Sequence, residues 1–172
     1  KQLPDSGSFQ FDEHEFMKAE DYDDFLADPS DWAIRTYLPR AFEKLEGFKI
    51  LPPFIMWAFG HYHLGNLPMY AAPPVQESLQ ALGEAIQVAL EDSAHMQESA
   101  ERMAALGFPP TFLAGALIEA PFDFMSDTLR GMRGIMLDIM RRPEKLLAAE
   151  EKTLKYQLEF AISFCQATGL KR

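Results

Sequence analysis

Cysteine is almost missing from this sequence: Cys165 stands alone among 172 residues. A single thiol excludes an internal disulfide, so the expected setting is a reducing cytoplasm. Positive charge is also scarce, with 16 lysines and arginines against 26 aspartates and glutamates, for a formal net charge of −10. Without a basic field to neutralise phosphates, neither nucleic acid nor an anionic membrane is an expected partner. No apolar run approaches the roughly 18 residues that a membrane-crossing helix requires. The opening "KQLPDSGSF" has no signal-peptide pattern and reads as loop from inside a longer protein. There is no internal repeat and no low-complexity tract.

What is there reads as globular. The residues are 48% hydrophobic and 24% charged, and a chain of this length can bury a core without staples. "MKAEDYDDFLADP" is a short acidic helix ending at Asp28, because the residue before a proline leaves the α region. Ser30 is the expected cap of the next helix, "SDWAIRTYLPRAFEKLEG", with Pro39 kinking or dividing it and Gly47 ending it. Lys49–Pro74 reads as irregular and aromatic-rich. Val75–Leu106 carries apolar residues at helical spacing, from Val75 through Leu79, Leu82, Ile86 and Leu90, and Gly107 with Pro109 stops it.

Thr111–Ile118 is short, continuously apolar and bounded by prolines, the pattern of a parallel strand buried on both faces. Helix resumes near Met125, breaks near Gly131 and Gly134, and continues to Arg141. Pro143 suits the first turn of a last helix, on which Leu147, Leu154, Leu158, Ala161 and Cys165 form one apolar face and which Gly169 closes. On that face Cys165 reads as a small core residue rather than a nucleophile.

Two stretches carry a family resemblance. "ALIEAPFDFMSDTLRG" followed by "MRRPEKLL" resembles the uroporphyrinogen decarboxylase superfamily, and "EDYDDFLADPSDWAIRTYLPRAFEKLEG" looks like the helical insertion of a longer branch of it. The anchors are Tyr22–Gly47 and Ala116–Leu147. The resemblance implies an α/β fold, a partial TIM (β/α)₈ barrel of which this segment is the mostly helical part. Residues 1–74 would be mainly a helical insertion, and 75–172 a helix-strand-helix portion of the barrel. In such a barrel functional loops follow the strands' C-terminal ends, so Glu119–Arg130 would face the cleft.

The resemblance also implies a chemistry: cofactor-free decarboxylation of a tetrapyrrole substrate by a carboxy-lyase. The alternative in the same superfamily is methyl transfer to or from a corrinoid-bound or thiol partner, which uses zinc. A rival of another class is a non-enzymatic helical interaction domain. It would show no exposed core face. The decarboxylases' catalytic aspartate is expected before Lys1 and the methyltransferases' zinc ligands after Arg172, so no catalytic residue is assigned within 1–172.

The candidate substrate-binding residues are Asp127, Arg130, Asp123 and Arg133. Asp127 stands where the resemblance puts a substrate-contacting tyrosine. A carboxylate there would repel a polycarboxylate and suits a neutral or cationic ligand, a pair with Arg130 or Arg133, or a helix-start acid. Asp123 also suits a helix cap. Arg130 and Arg133, with Gly131 and Gly134 beside them, form either an oxyanion clamp or a helix break with solvated arginines. His61 and His63 would share one face of a strand, but no third ligand is evident, so no metal is expected. The aromatics of "PPFIMWAFGHYHLGNLPMY" suit a cover over the barrel mouth or a contact between two copies, which makes a homodimer one expected state.

Overall fold

Aspartate and proline set the first helix boundaries. In this computed structural model, which describes residues 14–59, 61–108 and 118–168 without the side chains at 62, 63, 167 and 168, α1 (Tyr22–Ala27) ends at Asp28. That residue turns extended (φ −148°, ψ 93°) ahead of Pro29. Its carboxylate then accepts hydrogen bonds from Ser30 N and Asp31 N, each 3.0 Å, and opens α2 (Pro29–Trp32). The cap is therefore Asp28 and not Ser30, because proline takes the first helical position and moves the cap one residue ahead of itself.

α2 continues through a π-helical turn, Ala33–Tyr37, into α3 (Leu38–Ala41). Pro39 follows that turn directly. The wider ring, closed by Leu38 N donating to Ala33 O, gives the pyrrolidine the room an α turn would deny it. A 3₁₀ segment, Glu43–Ile50, contains Gly47. Gly47 does not end the helix before it, which stops at Ala41. It is a packing glycine: a Cβ there would lie 1.9 Å from Pro74 O, and its N–H donates to Ser78 Oγ at 3.1 Å.

The zone expected to be irregular contains α4 (Tyr62–Tyr70). The long helix α5 (Pro73–Ala105) starts on paired prolines, where Val75 N and Gln76 N both donate to Ala72 O. It ends as expected, at Gly107 (φ 87°), with Phe108 N donating to Met103 O and Gly107 N to Ala104 O. This is the 6→1, 5→2 pattern that satisfies the Met103 and Ala104 carbonyls at the helix end. α6 (Pro121–Asp123), a π-helical segment Phe124–Arg130, α7 (Gly131–Arg141) and α8 (Pro143–Thr168) complete the chain.

Among the described residues there is no β-strand. The expected α/β class, a partial (β/α)₈ barrel, is overturned: the described fold is all-helical. The expected strand at Thr111–Ile118 lies outside the described residues except for Ile118, which has no regular structure. The physical reason is the backbone. A helix satisfies its N–H and C=O groups within one segment, whereas a strand needs neighbours, and no other described segment supplies one.

The main core joins the two ends of the described chain. Met17, Tyr22, Phe25 and Trp32 pack with Met125, Leu129, Ile135, Leu146 and Ala149. Met17 N donates to Leu129 O at 2.7 Å across this seam. A smaller core, Leu45, Phe48, Leu51 and Val75, holds the first turn of α5. From Gly83 to Ala105 only Ala100 is even partly shielded, so Ile86, Val88 and Leu90 stay exposed.

The inward face of α8 also differs from expectation. Ala161 is buried as expected, but so are Leu146, Ala149 and Thr153, while Leu147, Leu154 and Leu158 are exposed. Ala149, wholly buried, lets the helix approach α1 closely. Small size at the contact outweighed the larger apolar stripe.

Candidate functional site

Backbone geometry turns Arg130 inward. The π-helical turn Phe124–Arg130 ends on Gly131 at φ 68°, ψ 157°, a region held cheaply by glycine alone. Gly134, one turn later, leaves space for the guanidinium, since a Cβ there would lie 3.0 Å from Arg130 Cζ. The helix breaks at Gly131, therefore, and Gly134 serves packing.

Arg130 Nε donates to Asp138 Oδ2 at 2.5 Å, and its Nη1 donates to Glu15 Oε1 and to Met17 O. Tyr22 Oη donates to the same Asp138 oxygen at 2.9 Å, and its ring centroid lies 5.9 Å from Arg130 Cζ. Arg142 Nη1 reaches Asp138 Oδ1 at 3.2 Å. The Arg130 and Asp138 side chains are 2% and 0% exposed. Burial opposes the Arg130 charge, but the bonds and charges of Asp138 and Glu15 outweigh it and raise its pKa. The Tyr22 phenol is pushed well above its ordinary value, by burial first and then by its bond to Asp138. The bonds of Arg130 Nε and Nη1, Tyr22 Oη and both Asp138 oxygens all run to other parts of the same chain. The node is a brace between the segment at Glu15–Tyr22 and α7.

A parallel brace holds the same segment to α3. Arg40 Nη2 donates to Asp21 Oδ1 at 3.1 Å, and Arg40 Nη1 donates to Asp21 Oδ2 and to Phe16 O. Burial alone would raise the Asp21 pKa. The Arg40 bond and the Lys18 backbone N–H outweigh it and hold the carboxyl below its usual range.

Of the four candidate residues, Arg130 alone is buried. Asp123, Asp127 and Arg133 are exposed, and Asp127 accepts from Ser126 Oγ at 2.8 Å. Among the described residues no ion pair joins Arg130 or Arg133 to either aspartate. Sequence reasoning missed Asp138 and Tyr22. The available signal was "GIMLDIM", where Asp138 is the one acid inside an apolar helical run.

A cavity of about 440 Å³ opens beside this brace, between α2, the π-helical segment and α8. Phe25, Trp32, Tyr37, Phe124, Tyr156 and Phe160 form its walls, with Ser30, Thr128, Thr153 and Gln157 as polar members. Among the described residues, no carboxylate, ammonium, guanidinium or imidazole lines it. A second recess, about 450 Å³, shares Phe124, Gln157 and Phe160 and adds Glu119. Trp32 Nε1 and Gln157 Oε1 are shut from solvent and have no hydrogen-bond partner among the described residues. Burial of an unpaired donor or acceptor is costly, which singles out this wall.

His61 stands at the cap of α4 and His63 falls within it, not on the strand that the shared-face reading required. Among the described residues no three His, Cys, Asp or Glu side chains come together as a metal site would require. Nor is any described helix long and apolar enough to cross a membrane.

Compared with known proteins, the chain matches no family model, no curated sequence and no solved structure. The resemblance rests on its two quoted stretches. Those stretches meet in space: Phe25, Trp32 and Tyr37 come from one, Phe124 and Leu129 from the other, and both line the cavity.

Proposed function

We propose that this chain carries the small-molecule pocket of an enzyme of the uroporphyrinogen decarboxylase kind, and that its reaction is of the methyl-transfer branch rather than the decarboxylating one. One observation carries the choice. The cavity that joins the two resembling stretches has no ionised side chain among the described residues of its lining, and the buried arginine nearest in sequence, Arg130, is held by Asp138 and Glu15. A polycarboxylate tetrapyrrole needs inward-facing cations and hydrogen-bond donors, because desolvating several carboxylates against apolar walls is prohibitive. A compact uncharged or cationic ligand has no such need.

Zinc, which the methyl-transfer branch uses, has no holder among the described residues. No step is derived through it. The role proposed for this chain is to bind and orient the small molecule, which aromatic walls around a cavity of this size do. The interaction-domain rival predicts no exposed core face. The exposed Ile86, Val88 and Leu90 of α5, with Met136 and Met140 of α7, weigh against it.

The test is an anaerobic assay of the protein, with uroporphyrinogen in one arm and a methylated corrinoid plus a thiol in the other, each with and without chelator. Methyl transfer without release of CO₂ is the expected result. Stepwise decarboxylation insensitive to chelator overturns the choice of branch.

A further inference from the structure

We propose that the aromatic cavity takes a small methylated cation, with a quaternary ammonium as its ligand class; this rests on the reading that the cavity is the ligand site. The walls are rings set at different angles. Phe25 meets Trp32 edge-on at 5.4 Å between centroids, while Trp32 and Tyr37 lie 6.1 Å apart at 31°. Tyr156 and Phe160 add exposed rings from α8. The lining is therefore rich in aromatic rings, and the face of an aromatic ring attracts a cation.

The lining also selects among cations. A primary ammonium carries three N–H donors, and a lining this rich in aromatic rings offers them few acceptors, so an unpaired donor would cost free energy. A quaternary ammonium carries none. It presents only methyl groups, over which the positive charge is spread, so it loses little on leaving water for this lining.

Two further features favour a positive charge over a neutral hydrocarbon of the same shape. Among the described residues, the only ionised side chain lining either recess is the carboxylate of Glu119. The chain as a whole carries a formal charge of −10, which concentrates cations around it.

The experiment is titration calorimetry of the full chain with choline and, separately, with 3,3-dimethylbutan-1-ol, its neutral isostere. Choline is expected to bind about tenfold tighter than the alcohol. Glu119→Gln should weaken choline and leave the alcohol unchanged. Tyr156→Leu and Phe160→Leu, at exposed rings, should weaken choline with an unchanged melting temperature. Equal binding of both probes overturns the cation and leaves the pocket standing. Binding of neither overturns the inference, and the methyl-transfer assay then judges the site separately. Choline binding unaffected by Glu119→Gln, Tyr156→Leu and Phe160→Leu places it elsewhere, and overturns the inference as well.

Discussion

Arg130 and Asp138, eight residues apart, share a buried bond of 2.5 Å between Nε and Oδ2 across the break at Gly131. The pair fastens the π-helical segment to α7, and through Tyr22, Glu15 and Met17 it fastens both to the first described residues. It also explains why Arg130 is a poor ligand-binding candidate. Its Nε and Nη1 already donate to Asp138, Glu15 and Met17.

Removing one partner of that pair leaves the other charged and buried. Arg130→Ala and Asp138→Asn are each expected to cost about 3–5 kcal/mol of unfolding free energy. The apolar double variant Arg130→Met/Asp138→Leu should recover much of that loss. Urea titration of all three against the parent checks this, and strictly additive losses would contradict the buried-pair account.

The close approach at Gly47 predicts a second cost. Gly47→Ala drives a Cβ into Pro74 O, a backbone atom that cannot swing away, and should destabilise by roughly 1–3 kcal/mol. At Gly83, on exposed α5, an added Cβ would meet nothing within 4 Å. Gly83→Ala should therefore stabilise by about 0.5–1 kcal/mol through helix propensity. Opposite shifts in the two urea midpoints are the expected reading.

Alkali should weaken the fold through Tyr22. Its phenol is held above its ordinary pKa, so the folded state keeps a proton that the unfolded chain gives up first. That contribution is complete below the unfolded value, about 10, and is lost as pH rises beyond it. Tyr22→Phe should flatten the decline that sets in above the ordinary tyrosine value, about pH 10. A residual slope is expected from Tyr37, also raised by burial. An unchanged slope would place the alkaline transition elsewhere.

Acid should act on Asp21 in the opposite sense. Its folded pKa is depressed, so its stabilisation is present above the unfolded value and disappears as pH falls through the folded one. Arg40→Gln should remove the part of this acid sensitivity that the pair supplies, readable as a smaller drop in melting temperature on going from pH 6 to about 3.

Asp127 and Asp123, being exposed, give clean probes of function. Asp127→Asn and Asp123→Asn should change stability by no more than about 0.5 kcal/mol. Lower turnover at unchanged stability would mark either as substrate-facing, and unchanged kinetics would leave them as surface acids. Arg130→Ala offers no such separation, because its loss of activity would be confounded by loss of the fold.

The boundaries of helices were legible in the sequence because their causes lie within one turn. Asp28 before Pro29, Gly107 at the end of α5 and Pro143 at the start of α8 act where they stand. The larger choices depended on partners distant in the chain. Whether Gly47 ended a helix or admitted Pro74, which face of α8 turned inward, and whether Arg130 met ligand or Asp138 were settled by contacts between segments. The aromatic cavity belongs to that class too: Trp32, Phe124 and Phe160 are ordinary core or surface residues until three separate helical segments bring their rings around one space. Local sequence determines how backbone groups are satisfied, whereas burial is decided by whatever surface the rest of the chain presents.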